Sequence, residues 1–303
     1  MNFPNHLQKG DSIAIIACAR KISLEELNPT VLELKSWGLN VVFSPNLFEV
    51  ENQFAGTDKS RAEDLQWAIN EPNLKAVIVA RGGYGTSRII DSVDFSMLEK
   101  YPKWFIGFSD ITVLLSHLFL NNFASIHGPV ALLLAKEGQE ENARLLKSLL
   151  LKGKYPTITS EPHKLNKFGI ASGQIIGGNL SILHSIIATD SDLDYNDKIL
   201  FIEDLDEYFY HIDRIMVHLE RTGKFKKLAG LIVGHMSDMK DNTIPFGYDA
   251  YEIIHQHTSN YFFPISFGMP VGHQNTNFPI VVGAQYSMKV DAKGGVLEHS
   301  LEA

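Results

Sequence analysis

Five short apolar runs divide the first half of the chain: SIAIIA (12–17), NVVFS (40–44), KAVIVA (75–80), WFIG (104–107) and FASI (123–126). None alternates apolar with polar residues, as a strand with one wet face does. Strands that are apolar throughout are covered on both faces, and they belong to parallel sheets joined by helical crossovers. The stretches between them carry helix patterns. Asn28-Pro29 offers a cap and a first-turn proline, with Gly38 as a stop, for PTVLELKSW. SRAEDLQWAIN ends at Glu71-Pro72, where the proline cannot continue the helix. The pattern predicts a doubly wound, parallel-sheet α/β domain over residues 1–155.

A polar, aperiodic segment follows, and residues 156–172 read as a crossing. A smaller mixed α+β domain is expected over 173–303. It begins with a helix at 180–188 and a strand, KILFIE (198–203). Next comes a long amphipathic helix in which Leu205, Phe209, Ile212, Ile215, Met216 and Leu219 recur at three- and four-residue steps up to Gly223. Further strands are expected at 229–234, 264–268, 279–282 and 286–290.

Charge and composition exclude several classes of function. The chain has 303 residues and a net charge of −8, without a basic run that could track a phosphate backbone, so nucleic acid is not an expected partner. A single cysteine, Cys18, allows no internal disulfide framework and fits a reducing compartment. SIAIIACAR could pass for a signal-peptide core. Its apolar run is only about seven residues and starts at Asp11, which suits a first buried strand better. No run approaches the roughly 18 apolar residues of a membrane span. The expectation is a soluble cytoplasmic protein with no membrane partner.

Three places carry candidate chemistry. The first is VARGGYGTSR (79–88), a glycine-rich stretch after a strand and before an expected helix, where backbone amides can face an anion or oxyanion. It lacks the third glycine of a dinucleotide fingerprint and the lysine of a phosphate-binding loop, so nucleotide binding is unsupported. A tight turn that needs glycine explains it equally well. The second is WFIGFSDITV (104–113), where Ser109 stands between strand and helix. Strand–Gly-x-Ser–helix is the layout of a nucleophile elbow, although the second glycine of that motif is missing. Serine and aspartate are also preferred helix caps, and this segment alone favours the cap.

The third place is LFIEDLDEY, where Glu203 ends an apolar strand while Asp204 and Asp206 read as helix-start acids. Of the 12 histidines, His127, His235 and His273 fall near strand ends. Spacing supplies a serine, an acid and three candidate bases, and does not choose among the histidines. No metal-ligand motif is present, and neither a metal nor a cofactor is expected.

The segments ARGGYGTSRII, IGFSDIT, HGP, GQIIGGNLS, LFIEDLDEYFYHIDRIMVHL and GMPVGHQ together resemble the LD-carboxypeptidase family of serine peptidases, in order and over essentially the whole chain. This family includes muropeptide LD-carboxypeptidases and microcin C immunity peptidases. The resemblance implies a catalytic triad of Ser109, Glu203 and His273. It also implies an oxyanion hole formed by the backbone N–H groups of Gly83 and Asp110. Arg81, Gly82, Tyr84, Arg88 and His127 are the expected substrate contacts, with Arg81 and Arg88 as candidate cations for a terminal carboxylate. The expected substrate is a murein tetrapeptide losing its C-terminal D-alanine during wall recycling, and members are commonly cytoplasmic homodimers. Two alternatives stand beside it: an amidase of microcin-type peptidyl or aminoacyl nucleotides, and a ligand-binding relative without catalysis.

Overall fold

The computed structural model describes residues 1–300, which divide into two compact units: residues 1–155 with 278–283, and residues 156–277 with the chain from 284 onward.

In the first unit β1 (Ser12–Ile16), β2 (Asn40–Phe43), β3 (Leu74–Val79), β4 (Trp104–Gly107) and β5 (Ser125–His127) form a parallel sheet in the order β2-β1-β3-β4-β5. Its helices are α1 (Leu24–Ser36), α2 (Asp58–Asn70), α3 (Thr112–Leu120), α4 (Ala131–Leu134) and α5 (Glu140–Lys152). Ile13, Ile15, Val77, Ile78, Phe105, Ile106 and Ile126 are all buried, as uninterrupted apolar runs require. The strand order reverses between β1 and β3. Loops at the carboxyl ends of strands diverge at such a point and leave a crevice where α/β proteins bind ligands.

Helix α1 starts earlier than Asn28-Pro29 suggests. Ser23 accepts from Glu26 N and Glu26 reaches back to Ser23 N, a reciprocal cap that fixes the start at Leu24 and leaves Pro29 inside the helix. Helix α2 stops where Pro72 demands, and buried Lys103 donates from Nζ to the carbonyls of Ala68, Ile69 and Glu71 at its end.

The second unit contains β6 (Ile158–Ser160), β7 (Gly169–Asn179), α6 (Leu180–Ser185), β8 (Ile199–Leu205), α7 (Phe209–Arg221), β9 (Gly230–Ser237), α8 (Ala250–Thr258) and β10 (Ile265–Phe267). The chain then supplies β11 (Ile280–Val282), β12 (Gln285–Asp291) and β13 (Gly294–His299). The sheet of this unit runs β10-β9-β8-β7-β12-β13-β6. Its β10-to-β7 half is parallel and its β7-to-β6 half antiparallel, with the eleven-residue β7 shared by both.

Two boundaries differ from the sequence reading. Residues 156–172 are more than a crossing, since β6 pairs with β13 and β7 begins at Gly169. Residues 278–283 belong to the first unit, where β11 pairs antiparallel with β5 through Ile280 and His127. Both segments are short, and their hydrogen bonds go to strands more than a hundred residues away. Local pattern cannot carry that information.

The long helix also begins later. Leu205 pairs with Ser237 in the ladder of β8 and β9, so it extends the strand, and Asp206 turns the chain at φ 63° before α7. The acid beside Glu203 serves another helix. Asp204 accepts from Ser181 N at 3.0 Å and Ser181 Oγ at 2.7 Å, at the start of α6, and from Asn179 Nδ2 at 2.8 Å. Burial raises its pKa to about 6 despite the Ser181 hydrogen bond.

Candidate active site

Ser109 is held in a conformation that L-residues avoid. It directly follows Phe108 at the end of β4 and has φ 65°. That left-handed geometry costs a residue with a Cβ about 1–2 kcal/mol. A cap would have extended backbone and a side chain bonded to the helix start. Neither the short 3-10 turn Ser109–Ile111 nor α3 has a side-chain cap. The strand-to-helix serine therefore has the strained turn of an elbow. Ile111 stands where the motif's second glycine would be, packed over Gly107: a Cβ on Gly107 would lie 2.9 Å from Ile111 Cγ2.

Asp110 aims its carboxylate away from α3 and into the glycine-rich loop. It accepts from Gly85 N at 3.3 Å, Thr86 N at 2.9 Å and Thr86 Oγ1 at 2.6 Å. Burial raises its pKa, against the pull of those hydrogen bonds. The residue after the serine thereby anchors the loop beside the serine. Gly82 in that loop approaches Ser109 closely: a Cβ at position 82 would stand 3.1 Å from Ser109 Cβ and 3.3 Å from Oγ. No α-helix follows the loop. Its two successors are single 3-10 turns, Thr86–Arg88 and Ile90–Ser92, so no helix macrodipole supports an anion there.

Arg61 fastens the other side of the loop. It is almost fully buried, and Nη1 donates to the carbonyls of Cys18 at 2.7 Å and Gly85 at 3.0 Å, tying the end of β1 to the glycine loop. Burial pushes the Cys18 thiol up to about 12, which removes it as a nucleophile near neutral pH.

The expected substrate contacts of the first unit are occupied to different degrees. Arg88 forks onto Asp58, with Nε at 2.9 Å from Oδ1 and Nη2 at 2.6 Å from Oδ2, and this hydrogen-bonded pairing raises its pKa. Arg81 faces Glu26 at 3.5 Å. Tyr84 is half exposed and leans toward Phe54, the ring centroids 6.3 Å apart. His127 is fully buried, its ring edge-on to Phe108 at 5.9 Å, where it backs the elbow.

In the second unit the structure distinguishes two of the three candidate histidines. His273 Nδ1 lies 2.6 Å from Glu203 Oε2. His235 Nε2 instead lies 3.0 Å from the carbonyl of Thr276 and 3.1 Å from its hydroxyl. Glu203 is completely buried in β8, and Gly272 makes room for it. A Cβ on Gly272 would come within 2.8 Å of Glu203 Cβ and 2.9 Å of Oε2, and its φ of 121° is one that side chains rarely adopt. The turn that presents His273 is held by Asn277 Oδ1, accepting from Gly272 N at 2.9 Å, and by Ser237 Oγ, donating to the His273 carbonyl at 3.1 Å. Burial pulls the His273 pKa down, but the Glu203 hydrogen bond and charge outweigh it, and the net shift is upward. A histidine whose Nδ1 is held by a carboxylate has its tautomer and ring orientation fixed. Among the described residues no cluster of histidine, cysteine or acid side chains could hold a metal ion.

Residues 13–128 match the LD-carboxypeptidase N-terminal domain, and residues 172–288 match the LD-carboxypeptidase C-terminal domain. The chain belongs to the LD-carboxypeptidase family. Membership makes it a peptidase. It is 33% identical to a probable murein peptide carboxypeptidase of Bacillus subtilis, over 97% of this chain and 94% of the relative. A muramoyltetrapeptide carboxypeptidase from Oxalobacter formigenes superposes with a TM-score of 0.84 at 28% identity, over 94% of this chain and 97% of that one. The microcin C7 self-immunity protein MccF, solved with aspartyl sulfamoyl adenosine, reaches a TM-score of 0.87 over 98% of both chains. At 18% identity that second likeness is one of fold.

Some supporting residues of this site were not legible in the sequence. Arg61 lies in α2 outside any motif and Thr86 sits unremarked within the glycine-rich stretch, and only the contacts to Cys18, Gly85 and Asp110 reveal their roles.

Proposed function

We propose that this member of the LD-carboxypeptidase family is a serine peptidase that hydrolyses an L,D amide bond and releases the C-terminal D-alanine of murein tetrapeptides. The observation that carries the reading is the strained backbone of Ser109 at φ 65° with the glycine loop at its side. For a serine between strand and helix, that cost is the one a nucleophile elbow carries to present its hydroxyl. The Glu203–His273 pair supports it as a base with a fixed tautomer.

In the proposed reaction Ser109 Oγ attacks the scissile carbonyl carbon and His273 takes the hydroxyl proton. The backbone N–H groups of Gly83 and Asp110 meet the charge that develops on the carbonyl oxygen. His273 returns the proton to the departing amine, and D-alanine leaves. Water activated by the same histidine clears the acyl-enzyme, while Glu203 stabilises the imidazolium throughout. Arg81, Gly82, Tyr84, Arg88 and His127 are assigned to the surroundings of the substrate. A cytoplasmic homodimer acting in wall recycling completes the reading, on the resemblance of the sequence.

The test is mass spectrometry of purified tetrapeptide muropeptides before and after exposure to the protein. The expected product lacks one D-alanine, and Ser109→Ala, folded by circular dichroism, makes none. Release of D-alanine by Ser109→Ala at the wild-type rate would overturn the assignment. An intact tetrapeptide alongside a cleaved aminoacyl nucleotide would transfer the same machinery to the microcin-type substrate. No cleavage of either would favour a binding relative.

A further inference from the structure

We infer that Arg20 recognises the free carboxylate of the departing residue and so restricts the enzyme to the last bond of a peptide. This rests on the reading of Ser109 as nucleophile.

Arg20 follows β1, at the point where the strand order reverses and the loops after β1 and β3 diverge. Its backbone is pinned by a bridge to Phe54, with Ala55 N donating to the Ala19 carbonyl at 3.0 Å and Lys21 N to the Gln53 carbonyl at 3.1 Å. Its side chain lies across Gly83. A Cβ at position 83 would stand 2.7 Å from Arg20 Cγ and Cδ and 2.9 Å from Nε, so only glycine lets the guanidinium stem cross the loop there. Gly82, the adjacent residue, is the one that abuts the Ser109 hydroxyl. Neighbouring Cα atoms are about 3.8 Å apart. The stem of Arg20 therefore crosses the loop at the residue next to the one that abuts the nucleophile.

The charges nearby single it out. Arg88 is forked onto Asp58, Arg81 faces Glu26, and Arg61 is buried on two carbonyls. Arg20 is exposed, and among the described residues its side chain has no hydrogen bond and no acidic partner. A planar guanidinium with its donors free matches a carboxylate in two parallel hydrogen bonds. When one residue departs, its carboxylate lies two bonds from the scissile nitrogen. The cation that reads it must then lie close to the attacking oxygen, and Arg20 crosses the loop beside the glycine that abuts that oxygen.

The experiment compares steady-state cleavage of a lysine-containing tetrapeptide with cleavage of its C-terminal D-alaninamide counterpart. Lysine at the third position removes the extra carboxylate that diaminopimelate would bring. Wild type is expected to favour the acid about 10- to 100-fold in kcat/KM. Arg20→Met keeps the stem and removes the charge. It is expected to raise KM for the acid by a similar factor, with kcat within about threefold and the amide unchanged, while Arg20→Lys recovers part of the loss. A wild-type KM for the acid in Arg20→Met overturns the inference. So does an equal loss on acid and amide, which would make Arg20 a prop for the glycine loop. If wild type cleaves neither substrate, the L,D-peptidase reading falls and takes this inference with it.

Discussion

Replacing Asp110 by alanine tests how the elbow and the glycine loop are joined. The substitution orphans three donors: Gly85 N, Thr86 N and Thr86 Oγ1. The hydroxyl can turn to another acceptor, and the 3.3 Å contact to Gly85 is the weakest of the three. The cost is dominated by Thr86 N, 2.9 Å from the carboxylate in a fully buried residue. A buried donor left without a partner costs about 1–3 kcal/mol. Losing the Gly85 contact as well brings the sum to about 2–4 kcal/mol. The carboxylate is itself desolvated, as its raised pKa records, so deleting it offsets part of that cost. The net expectation is a destabilisation of about 1–3 kcal/mol, which lowers Tm by about 3–10 °C for a domain of this size. The loop would no longer be held against Ser109. If it carries an oxyanion donor, kcat falls by about 10²–10³ with KM little changed. Asp110→Asn keeps the shape and one acceptor oxygen and is expected to fall between. Differential scanning calorimetry and a tetrapeptide cleavage assay measure the two effects. An Asp110→Ala protein with wild-type Tm and wild-type kcat would refute the reasoning.

Two further predictions follow from the backbone and the base. Ser109→Gly relieves the left-handed strain that Ser109→Ala retains, so the glycine variant is expected to be the more stable by about 1 kcal/mol in urea denaturation, with both inactive; equal stabilities would remove the strain argument. His273 has a net raised pKa, so NMR titration should place its midpoint above the ordinary 6.5, and Glu203→Gln should bring it below, because burial then acts without its counterweight. The signs follow from linkage: the stabilising contribution of the imidazolium is complete below about pH 6.5 and is lost as pH rises through the folded value. The base function runs the other way, so kcat/KM should climb across that same interval, and a wild-type midpoint at or below 6.5 would contradict the pairing.

Much of the fold can be read from short-range pattern. Apolar runs such as SIAIIA and KAVIVA announce a doubly covered parallel sheet, because no other environment suits a strand without a polar face. Glu71-Pro72 ends α2, since proline cannot carry the helix on. The elbow is visible as a strand–Gly-x-Ser–helix string, but the string alone leaves a cap as the better reading. Only the left-handed φ of Ser109 and the absence of a cap bond on α3 separate the two.

Composition, periodicity and the elbow string are local properties, and the sequence alone determined an α/β first domain, a serine at the rim of its sheet, and a family resemblance spanning the chain. Partnership depends on which strands pair, and tertiary structure alone decided it. Asp204 caps α6 across 23 residues, Asp110 reaches 24 residues back to Thr86, and Arg20 crosses Gly83. His273 meets Glu203 from 70 residues away. The reason is physical. A carboxylate or an imidazole has the same letter whether it is solvated or held, and its chemistry is set by the groups that folding places around it.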